Sequence, residues 1–112
     1  MTHRRLLPMR RACETFEIEF GGLAKCHTVT VGFYHDSLPG EVFIDAGKSG
    51  EQVAAIARDA AVLLSMALQH GVALETIKHA VTRDGQGMAS SIVGAVVDEL
   101  LRRMAEFRDV SA

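Results

Sequence analysis

The stretch Thr15-Phe16-Glu17-Ile18-Glu19-Phe20, followed by Gly21-Gly22, decides the fold class. Phe16, Ile18 and Phe20 alternate with Thr15, Glu17 and Glu19, a period of two that belongs to a strand with one wet face. The two glycines supply a turn that tolerates positive φ. Past them, Lys25 to Tyr34 alternates again, with Val29, Val31 and Phe33 opposite Thr28, Thr30 and Gly32. Asp36-Ser37-Leu38-Pro39-Gly40 is a further turn signal, and the short apolar run Val42-Phe43-Ile44 follows it. Three consecutive strands with short links make an antiparallel meander. A two-residue turn at Gly21-Gly22 sets Cys26 opposite Glu17 and Cys13 opposite Thr30, which leaves no cross-strand disulfide.

The remainder reads as helix. Ser49 followed by Gln52 forms a capping box, and Glu51 in the first turn suits the helix dipole. From Val53 to Leu68 the chain is apolar on nearly every side, with Val53, Ile56, Ala60, Leu63, Leu64 and Ala67 interrupted by Arg58, Asp59 and Ser65. That composition predicts burial over most of the circumference, against the sheet and against other helices or a second copy. Gly71 after His70 is a natural stop. A short helix is expected from Leu74 to Val81, then a break at Asp84-Gly85-Gln86-Gly87. Ser90 or Ser91 can cap the last helix, from Ile92 to about Phe107, whose apolar stripe is Val93, Val96, Val97, Leu100, Met104 and Phe107. The expected fold is α+β: a three-stranded antiparallel meander, then one long and largely buried helix, one short and one amphipathic, packed on one face of the sheet. A basic arm covers 1–11, a single domain 12–108 and a tail 109–112.

With 112 residues and a mass of 12.1 kDa the chain has room for one core and no large catalytic barrel. Twelve basic and fourteen acidic residues give a formal charge of −2, so there is no overall nucleic-acid footprint. No apolar run approaches the ~20 residues of a membrane span. The start Met1 to Ala12 has charge but no apolar core segment, so no secretory signal is expected. Two cysteines, Cys13 and Cys26, form no CxxC pair and read as inert packing in strands of a reduced, cytoplasmic protein. Arg4, Arg5, Arg10 and Arg11 bracket Leu6, Leu7 and Pro8, and read either as a solvated tail or as a docking arm for an anionic or protein partner.

Gly47-Lys48-Ser49 invites comparison with a phosphate loop, since it follows a strand and opens a helix. The full motif needs a glycine where Val42 stands, so the loop is too short to wrap a triphosphate. Backbone amides of Gly47, Lys48, Ser49 and Gly50 at the helix start, with the Lys48 ammonium, can still bind one phosphate or carboxylate. Arg83, Ser90 and Ser91 flank the oddest segment, Arg83 to Ser91, whose surplus length is either a plain connector or a ligand edge. The histidines lack the spacing of a metal site: His27 and His35 belong to one strand region, and His70 and His79 to two helix ends. No catalytic residue, bound cofactor or metal is expected on this chain.

The run Gly40-Glu41-Val42-Phe43-Ile44-Asp45-Ala46-Gly47-Lys48-Ser49-Gly50 resembles the central motif of the TSCPD domain, the small module near the C-terminus of many adenosylcobalamin-dependent ribonucleotide reductases. The resemblance continues through Leu64-Ser65-Met66-Ala67-Leu68-Gln69-His70-Gly71-Val72 and Glu75-Thr76-Ile77, over about residues 12 to 100. Arg83-Asp84 and Ala89-Ser90-Ser91 resemble a stand-alone branch of the same family. The reductase-borne domain often opens on a Thr-x-Cys-Gly strand beside further cysteines, whereas here His27 follows Cys26. The resemblance implies an accessory or regulatory role in ribonucleotide reduction, exercised by binding a nucleotide or the reductase catalytic chain. Adenosylcobalamin would belong to the larger enzyme. The alternative is a self-associating structural module, with a homo-oligomer built through helix 50–70.

Overall fold

The computed structural model describes residues 3–21, 25–46 and 50–111. Strands β1 (Cys13–Glu19), β2 (Cys26–Phe33) and β3 (Pro39–Asp45) form one antiparallel sheet in the order β1-β2-β3. Helices α1 (Glu51–Gln69), α2 (Leu74–Ala80) and α3 (Ile92–Ser111) follow. The class is α+β, as the alternation and the helical periods predict. The chain divides into two compact units, Met1–Val72 and Ala73–Ala112.

In the first unit the register puts Phe16 opposite Val29, and Val29 opposite Ile44. Directly paired residues share a face, so Phe16, Val29, Val31, Val42 and Ile44 form one apolar face, and all are buried. The other face carries Cys13, Thr15, Glu17, Cys26, Thr28, Thr30, Phe43 and Asp45. The pairing is offset from the expected one. Cys13 stands opposite Gly32 and Cys26 opposite Glu19, because the connection between Phe20 and Lys25 is four residues long and closes with Phe20 N–H donating to the Lys25 carbonyl at 3.0 Å. A shift of two residues preserves the faces, so the alternation survives while the partners change. Both cysteines are free and exposed, which corrects the expectation of buried packing.

Helix α1 runs along the outer edge of β3. Ser65 Oγ accepts from the Val42 N–H at 2.8 Å and lies 3.1 Å from the Val42 carbonyl and 2.8 Å from the Ala61 carbonyl. Gln69 Nε2 donates to the Gly40 carbonyl at 2.9 Å. These are the backbone groups that an edge strand leaves open, and α1 closes them with its own side chains. Ala57 and Ala61 permit the approach and are buried with Leu64. An edge position covers one side of a helix only. Ile56 and Leu63 remain 60% and 67% exposed, and Val53, Val62 and Met66 are exposed too, so the largely buried helix of the sequence reading is half open in the chain.

Gly50, not Ser49, occupies the N-cap of α1, and no side chain caps it; Ser49 itself lies outside the described residues. The C-terminus ends as Gly71 predicts. Gly71 takes φ +87°, its N–H donates to the Leu68 carbonyl, and the Val72 N–H reaches back to Ala67.

Residues 3–12 are tied to this unit. Arg5 N–H donates to the Gln69 carbonyl at 2.7 Å, and the Tyr34 hydroxyl donates to the Arg5 carbonyl at 2.6 Å. The Arg5 guanidinium stacks 3.9 Å over the Tyr34 ring and pairs with Asp36. A Cβ at Gly40 would meet the Tyr34 ring and Leu7, so a glycine is required where arm and strand cross.

In the second unit α2 packs on α3. Ser91 caps α3, its Oγ accepting from the Gly94 N–H at 3.2 Å. Val96, Val97 and Leu100 of the expected stripe are buried, and α3 continues past Phe107 to Ser111.

Candidate functional site

Where α1 rises beside β3, the open face of the sheet and the helix enclose a groove of about 630 Å³. That is the size of a small-molecule cleft. Thr28, Thr30, Phe43 and Asp45 line it from the sheet, and Arg58, Val62 and Met66 from the helix. Phe43 is 58% exposed although it is central in its strand. It shares a face with Glu41 and Asp45, the polar phase of β3, and not with Val42 and Ile44.

Gln69 organises one end of the groove. Buried itself, it accepts from Arg4 Nε, donates to Gly40, and binds Arg5 through its carbonyl. Arm, strand and helix are thus held at one residue. Beside it, Glu41 receives both Arg11 Nε at 2.7 Å and Arg11 Nη2 at 3.3 Å, and Arg11 Nη1 donates to the Pro8 carbonyl. The other end holds Arg58, which is exposed and makes no hydrogen bond or ion pair with any described residue. An exposed guanidinium over an apolar floor with hydroxyls alongside suits an anionic ligand with a flat apolar part.

The residues expected from sequence fall elsewhere. Gly47, Lys48 and Ser49 lie outside the described residues; Gly50 caps α1. Arg83 lies in a β-bridge with Ala89 in the second unit, the neighbouring Ser90 N–H donates to the Thr82 carbonyl at 3.0 Å, and Ser91 caps α3. Arg83 donates to both Asp98 oxygens, at 2.7 and 2.9 Å, and to the Lys78 and Gly87 carbonyls. That pairing holds the Asp98 carboxyl below the ordinary carboxylate range, against a smaller opposing effect of burial. Asp84 Oδ1 accepts from the Gln86 and Met88 N–H groups, so the surplus residues between the helices build a closed turn.

Among the histidines, His27 is buried with Nε2 3.3 Å from the Phe20 carbonyl and Nδ1 without a hydrogen-bond partner. His70 closes α1, its Nδ1 2.8 Å from the Met66 carbonyl. Among the described residues no three His, Cys, Asp or Glu side chains form a metal-sized cluster, and no helix is long and apolar enough to cross a membrane.

Sequence reading did not single out Arg58, Phe43 or Gln69 as site residues, and placed Arg4 only in the basic arm, as tail or docking segment. One signal was there for Phe43: it stands in phase with Glu41 and Asp45, on the wet side of its strand.

The family model of the TSCPD domain matches residues 1–108, the N-terminal arm included. The chain belongs to the TSCPD domain family. A vitamin B12-dependent ribonucleotide reductase from Rhodopirellula baltica is 45% identical to it over 47 residues. Those residues are 42% of this chain and 4% of the reductase, so the chain matches a small part of a much longer protein. No solved structure matches.

Proposed function

We propose that this TSCPD domain is an accessory module of ribonucleotide reduction that works by binding, either the reductase catalytic chain or a nucleotide. The observation that carries this reading is the 45% identity shared with a B12-dependent ribonucleotide reductase inside a family match over nearly the whole chain. A groove floored by an exposed phenylalanine and flanked by arginines suits a binding role. Adenosylcobalamin would belong to the larger enzyme, as the likeness to a B12-dependent reductase implies. A cytoplasmic location follows from the same role. Sedimentation of the chain with a B12-dependent reductase catalytic chain from the same source tests it. A near-stoichiometric complex, weakened by changes in residues 3–11 or 83–91, is expected. Independent sedimentation at tens of micromolar, together with no nucleotide binding by the chain alone, overturns it.

A second reading, self-association, is favoured by one observation. Val53, Ile56, Ala60, Leu63 and Ala67 fall at heptad spacing, and the three large ones are exposed. Light scattering over a concentration series should show a mass doubling that Leu63→Glu abolishes. A strict monomer excludes this reading.

A further inference from the structure

We propose that the groove between the open face of β3 and α1 binds a nucleotide, with its base on Phe43 and Met66 and its phosphate on Arg58. This rests on the nucleotide half of the reading above and assigns it a site.

Charge selects the class of occupant. Arg58 and Arg4 line the groove with Glu41 and Asp45. Glu41 is neutralised by the two-toothed contact from Arg11, and Asp45 has a partner of its own. Three guanidiniums therefore stand against two carboxylates, and the one that has no partner among the described residues, on Arg58, is left for an anion. Its planar fork matches phosphate oxygens.

The floor selects the other half of the ligand. Phe43 is an aromatic ring left in water in the middle of a threonine-bearing face, directly opposite Thr30. A purine or pyrimidine stacks on such a ring whatever its sequence. Met66, exposed on the helix wall, offers a polarizable second contact. Thr28 and Thr30 bring hydroxyls to the same floor, where ribose oxygens need donors and acceptors. Arg4, fixed through Nε to Gln69, lies about 16 Å further along α1 at the 1.5 Å rise per residue, with its terminal N–H groups left for the acceptor edge of the base.

A peptide is the competing occupant, and the edge of the sheet argues against it. An added strand needs the open N–H and C=O groups of β3, and Ser65 and Gln69 already hold those at Val42 and Gly40.

The test is calorimetric titration of the full chain with ADP and with inorganic pyrophosphate, for the wild type, Arg58→Ala, Phe43→Ala and, as a control outside the groove, Arg10→Ala. Both groove side chains are exposed, and circular dichroism confirms that each variant folds. ADP should bind the wild type and the control alike, and each groove variant about tenfold or more weakly. Pyrophosphate should bind more weakly than ADP and be insensitive to Phe43→Ala. ADP affinity unchanged in both variants overturns the site while nucleotide binding itself stands. Equal affinity for pyrophosphate and ADP overturns the stacked base. No binding of ADP at millimolar concentration overturns the proposal, and reductase binding is then judged by sedimentation alone.

Discussion

Ser65 sets how closely α1 can approach the sheet, because its hydroxyl takes the place of a missing neighbouring strand at Val42. A hydroxyl has one proton and two lone pairs, so it can accept from the Val42 N–H while donating to one of the two carbonyls beside it. Ser65→Ala leaves a part-buried N–H without a partner and should cost about 1–3 kcal/mol, read as a lower urea midpoint at unchanged slope. An unchanged midpoint would mean that water replaces the hydroxyl. Gln69 acts on a larger scale, since its side chain and carbonyl reach Arg4, Gly40 and Arg5 together. Gln69→Ala should loosen the arm as well as the helix, and accelerated amide exchange at Arg5 would report it.

At the scale of elements, α1 is an edge cover and not a core helix. Ala57, Ala61 and Leu64 are turned inward and buried, while Ile56 and Leu63 are exposed. The α2–α3 turn is held differently, by ion pairing. Arg83 depresses the Asp98 carboxyl by donating to it, and within α3 itself Arg102, then Arg103, depress Glu99 in the same way. A carboxyl with a lowered folded-state pKa binds fewer protons in the folded than in the unfolded chain. Its stabilisation is complete above the unfolded value of about 3.9 for an aspartate and disappears as pH falls through the lower folded value. Urea midpoints should therefore fall as pH drops below about 4. Asp98→Asn should start lower at neutral pH and show a shallower acid loss. An equally steep loss in that variant would place the acid sensitivity elsewhere.

At the scale of the whole molecule, the arm is a structural part of the first unit. It contributes a stacked arginine on Tyr34, the Arg11 pair with Glu41 and a backbone bond to Gln69. The family match includes it. Removing residues 1–11 should lower the melting temperature by at least about 5 °C, taking ~1 kcal/mol as 4–8 °C in a domain of this size. A truncated chain that melts like the full one would return the arm to the role of a solvated tail.

What the sequence by itself determined is local. Alternation at Phe16-Glu17-Ile18 and at Val29-Thr30-Val31 specifies strands, because side chains on a strand repeat every two residues. Gly71 specifies the stop of α1, and the Ser90-Ser91 pair the start of α3, with Ser91 taken as the cap in the structure, because each meets the needs of backbone groups a few residues away. The tertiary structure decided everything that depends on which surfaces meet. The β1–β2 register moved by two residues because loop length, and not strand pattern, fixes it. A helix apolar on nearly every side cannot announce which side is covered, so the exposure of Ile56 and Leu63 was illegible. The groove draws Arg4 from the arm, Phe43 from β3 and Arg58 from α1. No local pattern links three residues so far apart in sequence; only the approach of α1 to the edge of β3 brings them to one site.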